Sequence, residues 1–359
     1  MSQQVITDIE AIRKYIEVAD KKLINQMLNG LDIAKDLPVL RDVREPRHLK
    51  KMVVDAGARR LNTSIKKAKG GRTFSERILT PQGAMKIIEI IPEEVRESFM
   101  SSQLDPNAKE IPFGQWVWQQ EFAKIASEIN DNFFYSVNPE TIPAFSATAT
   151  YAEGALVYFN DIVYEMIDDV DTTAGQSPET HQAKWADVDN KVICDGPDKI
   201  IEEELTAGNL LISGSGGSFD KDSAYDAVMD LWDPIPEAHK NKRLVLLTSY
   251  DVQSDIAISQ NKQFGTGVGV GSVDIEQGKP FVVKGTGGRL TVVPNTWMLG
   301  SRRLMATMAG NAVIGMNQTG DASKVGKVIE NLHGYEAIVK WMIGFQFRDL
   351  EVLYVNDQR

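Results

Sequence analysis

Residues 279–317 read KPFVVKGTGGRLTVVPNTWMLGSRRLMATMAGNAVIGMN, and this stretch decides the fold. Its pattern predicts a strand at 281–283, a glycine turn at 285–288 and a second strand at 290–293. Pro294, an exposed NTWM turn and a run of small residues follow. We interpret the stretch as a twisted hairpin that leads into a rigid platform. It contains no nucleophile, metal-ligand set or phosphate loop, which indicates a structural building block.

The order of the motifs within and after this stretch resembles a known family. RLTVVPNTWM is followed by the basic pair Arg302 and Arg303, by NAVIGMN and, at 343–357, by IGFQFRDLEVLYVND. Together they resemble the closing half of major capsid proteins of tailed phages of the Hong Kong 97 type. The resemblance implies an α+β fold with an N-terminal arm, an extended loop, a long spine helix and an axial domain. It also implies pentamers and hexamers in an icosahedral shell around double-stranded DNA.

The composition fits a protein with a sizeable core. The chain has 359 residues, of which 42% are hydrophobic, and this length allows two or three domains. No apolar run reaches the ~18 residues that a membrane span needs, and the N-terminus lacks the pattern of a signal peptide. The single cysteine, Cys194, excludes an internal disulfide, and we expect a buried, inert thiol.

The charge of the chain is unevenly distributed. The net charge is −11, yet residues 41–77 contain twelve Lys or Arg and four Asp or Glu, a net charge of +8. Such a basic arm fits contacts with phosphates or with acidic neighbouring subunits, although a solvated basic helix without a partner is the alternative. The acidic remainder would repel nucleic acid, which would let packaged DNA slide inside a shell.

Basic residues of the arm and the platform are the candidates for contacts between subunits. Local salt bridges within one subunit are an equally good interpretation of the same residues. The candidates are Arg41, Arg44, Arg47, Lys50 and Lys51 on the arm, and Arg302 and Arg303 on the platform.

The capsid resemblance divides the chain into six segments. They are the N-terminal arm 1–70, the extended loop 71–112, the spine helix 113–144, a small inserted β module 145–191, the axial domain 192–278 and the return segment 279–359.

The central helix is the clearest local prediction. Residues 113–135 carry apolar side chains at three- and four-residue spacing, including Trp116, Phe122, Ile125 and Ile129. A helix of this length spans about 33 Å, which suits the spine helix of the resembled fold. The stripe itself indicates a core face.

Further helices and strands follow from apolar periodicity, caps and breakers. The predicted helices are 7–28, 48–68, 93–101, a helix capped by Asp222 that runs to about Trp232, 249–259 and 335–341, and the predicted strands are 85–91, 210–213, 243–248 and 351–355.

Residues 151–188 look separable from the rest. Two predicted strands, 156–158 and 162–166, flank Asn160-Asp161, a hairpin turn signal. The segment resembles a small chitin-binding type of carbohydrate-binding domain, with Asp161 in place of the turn glycine. The matching positions are Tyr151, Gly154, Val157, Phe159, Tyr164, Thr172, Gly175, Pro178 and Trp185.

Two aromatic residues of this module are candidates for glycan contact. Tyr158 and Trp185 could stack on sugar rings, but so small a domain also needs aromatic side chains for its core. Both interpretations stay open at this point. An insertion after the spine helix would decorate the outside of a particle, either as a contact with host glycans or as a stabilising contact between subunits.

The sequence gives no sign of an enzyme. The four histidines are scattered, and the chain has no HExxH, GxSxG or CxxC motif. We therefore expect a structural protein without a cofactor or metal, located in the virion and assembled in the host cytoplasm. Portal, scaffold and decoration proteins would be further partners, and we expect no membrane contact. The alternatives are a glycan-binding protein that acts through residues 151–188, and an encapsulin-like nanocompartment shell.

Overall fold

The structure is a computed structural model in which helices pack against two mixed β-sheets. The predicted helices 7–28 and 93–101 lie outside the described residues, apart from three positions near the end of the first. The structure describes residues 24, 27–28, 30–55, 58, 70–91, 113–168, 172, 175–214, 217–264, 278–317, 324–326, 329–330 and 335–358.

The described helices and strands are numbered here in chain order. The helices are α1 (Asp32–Asp36), α2 (Phe113–Asn132), α3 (Pro197–Thr206), α4 (Ala224–Trp232), α5 (Glu237–Lys240) and α6 (Tyr250–Phe264). The strands are β1 (Val39–Arg41), β2 (Arg47–Val54), β3 (Arg72–Leu79), β4 (Gln82–Ile90), β5 (Leu156–Phe159), β6 (Ile162–Met166), β7 (Trp185–Asp187), β8 (Leu244–Ser249), β9 (Phe281–Val282), β10 (Leu290–Asn295), β11 (Met305–Met308), β12 (Ala312–Asn317), β13 (Lys324–Val325), β14 (Ile329–Glu330), β15 (Tyr335–Phe347) and β16 (Leu353–Val355).

Strand β15 is the centre of the six-stranded sheet. It pairs antiparallel with β4, β12, β13 and β14, and β1 adds to β12 in parallel. The prediction of a helix at 335–341 is wrong. From Ala337 to Phe347 every second residue is buried, whereas Ile338 is 36% exposed, and this two-residue period is that of a strand.

The spine helix α2 packs on this sheet. The predicted helix is confirmed, although it ends at Asn132, three residues before the predicted end. Just beyond the helix, the Phe133 ring meets Trp297 and Phe345 edge to face, with centroids 5.9 and 5.7 Å apart. These contacts join the helix, the platform and the sheet in one apolar core.

The five-stranded sheet has the order β16-β11-β8-β10-β9. The predicted hairpin of residues 281–293 is confirmed, because β9 and β10 pair antiparallel. Strand β8 and helix α6 confirm the predictions at 243–248 and 249–259, with a longer helix. Helices α4 and α6 cover this sheet and form a second core cluster with it.

Several local predictions are wrong. Residues 210–213 do not form a strand, since they contribute one isolated bridge between Ile212 and Val355, and helix α3 before them was not predicted. Helix α4 is not capped by Asp222. The Asp220 carboxylate instead accepts the backbone N–H groups of residues 222 and 223, at 2.9 and 3.1 Å. The predicted strand at 351–355 is confirmed only for its last three residues.

The NTWM turn is buried and not exposed. Trp297 and Met298 are 0% exposed, because helix α1 and the spine helix α2 pack against them, whereas Thr296 of the same turn is exposed. The indole Nε1 of Trp297 donates a 3.1 Å hydrogen bond to Asp36, and Thr296 donates to Asp32. The turn is therefore bonded to helix α1, which lies within the segment predicted as the N-terminal arm.

The predicted helix 48–68 is also wrong in its described part. Residues 47–54 form strand β2, which pairs antiparallel with β3 over eight residue pairs. Leu49, Met52 and Val53 have the three- and four-residue spacing of the apolar face of a helix, which favoured the wrong prediction. The β-branched pair Val53-Val54 favours a strand instead.

The inserted segment contains a three-stranded sheet of β5, β6 and β7. Both predicted strands are confirmed. The turn between them has positive φ at Asn160 (49°) and Asp161 (64°), the conformation of the tight hairpin turn that the sequence predicts.

Candidate assembly surfaces

The hairpin β2–β3 forms a separate two-stranded sheet and has two different faces. Its register places Met52 opposite Phe74 and Lys51 opposite Ser75. Because side chains alternate along a strand, residues 47, 49, 51 and 53 share one face with 73, 75, 77 and 79. The remaining residues form the opposite face.

The first face is anchored to the body of the subunit. Leu79 is fully buried above the cross-strand pair Gly315 and Gly344. A Cβ at Gly315 would lie 2.6 Å from Leu79, and one at Gly344 would lie 2.7 Å from the carbonyl oxygen of Thr80. Only glycine therefore lets the base of the hairpin lie this close to the sheet.

Two basic residues fix the same face by ion pairs. Arg77 lies 2.8 Å from Glu204 of helix α3 and also donates to Gln346 of β15. Lys51 lies 2.8 Å from Asp349 and 2.6 Å from Glu351, next to the C-terminal strand. The hairpin is thus held in a defined direction.

The second face, which we call the free face, is exposed and carries apolar side chains between charged ones. Met52 and Phe74 are directly opposite each other and are 53% and 69% exposed. Val54 follows this pair on β2, and Ile78 is separated from it by the cross-strand pair of Lys50 and Glu76. Exposed apolar side chains that lie together in this way are typical of interaction surfaces.

The predicted arm residues divide between the two faces and the preceding strand. Arg41 is exposed at the end of β1, and Arg44 is exposed in the connection to β2. Arg47 and Lys50 are exposed on β2. Lys51 contacts the acidic groups of its own subunit, so four of the five predicted residues offer exposed surface along one part of the chain.

The two platform arginines make contacts inside the subunit. Arg303 is 1% exposed, and it donates to Asp198 at 2.8 Å, to Glu202, and to the carbonyl oxygen of Asn356 at 3.2 Å. Arg302 pairs with Asp255 at 3.1 Å and lies over the Phe219 ring. These are the local salt bridges that the sequence left open as the alternative.

The two candidate glycan residues have different environments. Trp185 is 5% exposed, packs edge to face on Phe145 and Tyr151, and donates its Nε1 hydrogen to the carbonyl oxygen of Gln176 at 3.2 Å. Tyr158 is 41% exposed, and its hydroxyl donates to Asp161 at 2.8 Å. Trp185 thus belongs to the core of the module, and Tyr158 lies on its surface.

Sequence reasoning did not identify the apolar residues of the free face. Met52, Phe74 and Ile78 have the spacing that is found in any half-buried strand. The sequence alone does not show that these side chains are exposed in the folded subunit. The signal in the sequence was the +8 charge of residues 41–77, which marks the segment but not its apolar face.

The described part of the chain shows neither a metal site nor a membrane span. Within the described ranges, no group of three or more His, Cys, Asp or Glu side chains is arranged to hold a metal ion. No helix in that part of the chain has the length and apolar character needed to cross a bilayer.

Comparisons with known proteins find similarity in structure. No protein-family model matches the chain, and no curated protein matches it. A chain in the structure "Satellite phage P4 procapsid including size determination (Sid) protein" is similar with a TM-score of 0.53 and 12% identity, over 93% of this chain and 89% of that chain.

Two further structures are similar at a lower level. The capsid of a native GTA particle has a TM-score of 0.43 and 10% identity, over 90% of this chain and 89% of that chain. The capsid of the Myoviridae phage XM1 has a TM-score of 0.41 and 10% identity, over 91% of each chain. Because these scores are lower, the fold assignment rests on the procapsid chain. The protein shares its mixed helix-and-sheet fold with a chain of that phage procapsid.

Proposed function

We propose that this protein is the major capsid protein of a tailed phage, of the Hong Kong 97 type, and that its copies form the icosahedral shell around double-stranded DNA. The observation that carries the proposal is the fold shared with the procapsid chain over 93% of this chain. The sequence motifs of the platform and the C-terminal strand support the same assignment. In this proposal the protein is a structural component of the virion and catalyses no reaction.

The hairpin β2–β3 supports assembly through copies of the same chain. A two-stranded hairpin has no core of its own, and an isolated one is marginally stable in water. Here one face is anchored and the other exposes Phe74 to 69%. A neighbouring subunit that covers this face would bury its apolar surface, and repetition of that contact would close a shell of pentamers and hexamers.

Exposed basic residues next to the hairpin would add electrostatic contacts. Arg41, Arg44, Arg47 and Lys50 are the residues that we propose at the subunit boundary. Their charges would meet acidic surface on neighbouring copies, because the chain outside residues 41–77 carries a net charge of −19. Lys51, Arg302 and Arg303 would instead support the boundary from within each subunit.

We assign the inserted module to the outer surface of the shell, where it would stabilise contacts between subunits. The burial of Trp185 in the aromatic cluster of the module favours this role over glycan binding. Portal, scaffold or decoration proteins would meet the assembled shell in the host cytoplasm.

Expression of the full chain tests the proposal. We expect the purified product to sediment as large particles that electron microscopy shows as closed shells. Packaged double-stranded DNA in virions that contain this chain would support the phage assignment over a nanocompartment. A product that remains a folded monomer at every salt concentration would contradict the proposed function.

A further inference from the structure

Strand β4 forms one edge of the six-stranded sheet. Among the described strands it pairs with β15 alone, whereas β12, β13 and β14 lie on the other side of β15. In an antiparallel ladder, alternate residues direct both backbone groups toward the neighbouring strand, so about half of the N–H and C=O groups of β4 point away from β15. We call this side of β4 the open edge, because no described backbone group bonds to it.

A cleft of about 820 Å³ runs along the open edge. Five consecutive residues of β4, 83–87, line it. Because the side chains of successive strand residues point to opposite faces, a cleft that touches five residues in a row contacts the backbone edge itself. Five residues of extended chain cover about 16 Å. The cleft thus offers backbone hydrogen-bonding groups over the length of a short peptide strand.

The floor of the cleft is apolar and contains a buried donor without an acceptor. Ile125 and Ile129 of the spine helix line it, and both are 1% exposed. Trp341 of β15 lies opposite Ala84 of β4 and also lines the cleft. Its side chain is 5% exposed, and its Nε1 has no hydrogen-bond partner among the described residues. An occupant with carbonyl oxygens offers the acceptor that this indole lacks.

Another wall of the cleft belongs to the inserted module and is acidic. Asp161, Asp187 and Asp189 line it, and all three are exposed. They accept hydrogen bonds from neutral donors, namely the Tyr158 hydroxyl and the backbone N–H groups of Val163 and Asp189. Among the described residues, none of the three carboxylates has a Lys or Arg partner. This wall therefore carries negative charge that the subunit does not neutralise.

The basic residue that lines the cleft is already paired. Lys86 of β4 lies 3.8 Å from Glu121 and 3.6 Å from Glu128, two carboxylates of the spine helix. The cleft thus combines an open strand edge, an apolar floor and unneutralised negative charge. The complementary occupant is an extended segment in which apolar residues alternate with Lys or Arg, since such a segment can add to a sheet edge as a further strand.

This chain does not readily supply that segment itself. Outside residues 41–77 it carries a net charge of −19. Within residues 41–77, the described strands β2 and β3 already pair with each other over eight residue pairs. The chemistry of the cleft therefore favours an occupant from a different protein.

We infer that the open edge of β4 binds an extended, Lys- or Arg-containing segment of a second protein, which joins the six-stranded sheet as a further strand. The carboxylates of the inserted module face the positive charges of that segment. The site goes beyond the proposed shell function, because it needs only one copy of this chain.

Synthetic peptides test the site on the full-length chain, below the protein concentration at which it assembles. The probe is a short capped peptide in which Lys and Val alternate, and the charge control is the same peptide with Glu in place of Lys. In fluorescence anisotropy we expect the Lys peptide to bind at least about tenfold more tightly, because the module wall is acidic. Equal affinities, or no binding of the Lys peptide, would overturn the inference.

A third peptide separates strand pairing from charge attraction. It keeps the Lys and Val pattern but carries methyl groups on its central backbone nitrogens, so neither of its edges can pair fully with a strand. We expect its affinity to be lower than that of the unmethylated peptide by about tenfold or more. Equal binding of the two peptides would show that charge alone holds them, which contradicts strand addition.

Hydrogen exchange locates the bound peptide. The Lys peptide should slow the exchange of about half of the amides of residues 82–90, which are those that point to the open edge. Strand β1, at the opposite edge of the same sheet, is the internal control and should be unaffected. Protection of β1 without protection of β4 would place the peptide at another site and refute the inference.

Neutral substitutions test the module wall. A variant with both Asp187→Asn and Asp189→Asn should bind the Lys peptide about tenfold more weakly than the wild type. The matched control is Glu179→Gln, which removes an exposed charge of the same module away from the cleft and should bind like the wild type. An equal loss in the control, or no loss in the double variant, would contradict the role of the acidic wall.

Failure of this inference can be told apart from failure of the proposed function. A wild-type chain that forms shells but does not bind the Lys peptide would overturn the β4 site alone. A chain that binds the peptide along β4 and never assembles would refute the shell function alone.

Discussion

Arg303 shows how a charged residue can be structural. Its guanidinium is 1% exposed and joins helix α3, through Asp198 and Glu202, to the end of strand β16, through the carbonyl oxygen of Asn356. A charge placed there is tolerated because oppositely charged groups and a backbone acceptor surround it. The residue therefore supports the platform from inside.

Arg303→Met should destabilise the subunit by about 3–5 kcal/mol, because it removes one side of the buried ion pair between Arg303 and Asp198. Urea denaturation followed by circular dichroism measures the change. The control is Lys262→Met, whose pair with Asp222 is more than half exposed, and which should change the free energy of unfolding by less than about 0.5 kcal/mol. Equal changes in the free energy of unfolding for both substitutions would show that burial of the ion pair does not determine its contribution to stability.

Two carboxylates of helix α1 should give opposite pH dependences. Burial raises the pKa of Asp36, although the hydrogen bond from Trp297 opposes this, whereas the hydrogen bond from Lys35 lowers the pKa of Asp32. The folded state thus holds the Asp36 proton more tightly than the unfolded chain does. Its contribution to stability is present at low pH and is lost as pH rises through the raised pKa. For Asp32 the contribution is present above the ordinary pKa of Asp and is lost as pH falls.

Asp36→Asn and Asp32→Asn test these signs in the same helix. The free energy of unfolding, measured from about pH 3 to pH 7, should fall less with rising pH in Asp36→Asn than in the wild type. Asp32→Asn should lose less stability than the wild type as the solution becomes acidic. Parallel curves for the wild type and both variants would contradict the assigned shifts.

Two substitutions in the inserted module should distinguish its core residue Trp185 from its surface residue Tyr158. Trp185→Ala should destabilise the module by about 3–5 kcal/mol, because it removes the ring that packs on Phe145 and Tyr151. Hydrogen exchange of the β6 amides reports this local opening. Tyr158→Phe removes only an exposed hydroxyl contact with Asp161 and should leave the exchange rates unchanged. Slow hydrogen exchange of the β6 amides in Trp185→Ala would show that the indole does not belong to the core of the module.

Two substitutions in the β2–β3 hairpin should affect subunit folding and subunit assembly separately. Phe74→Ser removes an exposed side chain, so we expect little change in subunit stability and a clear loss of assembly in sedimentation velocity. Leu79→Ala, at the buried base of the same hairpin, should instead lower subunit stability by about 2–5 kcal/mol. An assembly-competent Phe74→Ser variant would exclude the free face from the contact between subunits.

Elements with a one-sided burial pattern could be predicted from the sequence. The spine helix has an apolar stripe of helical period, and the β9–β10 hairpin has a glycine turn between two apolar strands. Strand β15 carries an equally clear signal, the alternation of buried residues from Ala337 to Phe347, but its first half also contains apolar neighbours at helical spacing. The pattern over the full range 335–347 favours a strand, whereas the range 335–341 alone does not distinguish a strand from a helix.

Elements whose environment comes from other parts of the chain could not be predicted. The free face of β2–β3 is exposed in the subunit, so no burial period marks it, and the strand was mistaken for a helix. Arg303 and the NTWM turn read as surface, because the acidic residues of α3 and the cover of α1 are distant in sequence. Gly315 beneath Leu79 was visible only as the end of a run of small residues.

The described chain combines a rigid body with surfaces that a single copy leaves uncovered. Two sheets are linked through the buried side chains of Asn295, Trp297 and Met298 and through the spine helix. The hairpin is anchored to that frame at its base and exposes apolar side chains on its free face. This division fits a subunit that acts by repeated contact with its own copies.

The central claim is that neighbouring copies cover the free face of the hairpin. A cryo-electron microscopy reconstruction of the assembled full-length chain measures this most directly. We expect a closed shell in which Met52 and Phe74 of each subunit are buried against an adjacent subunit. A shell in which these residues face solvent, or a preparation that contains only monomers, would contradict the account.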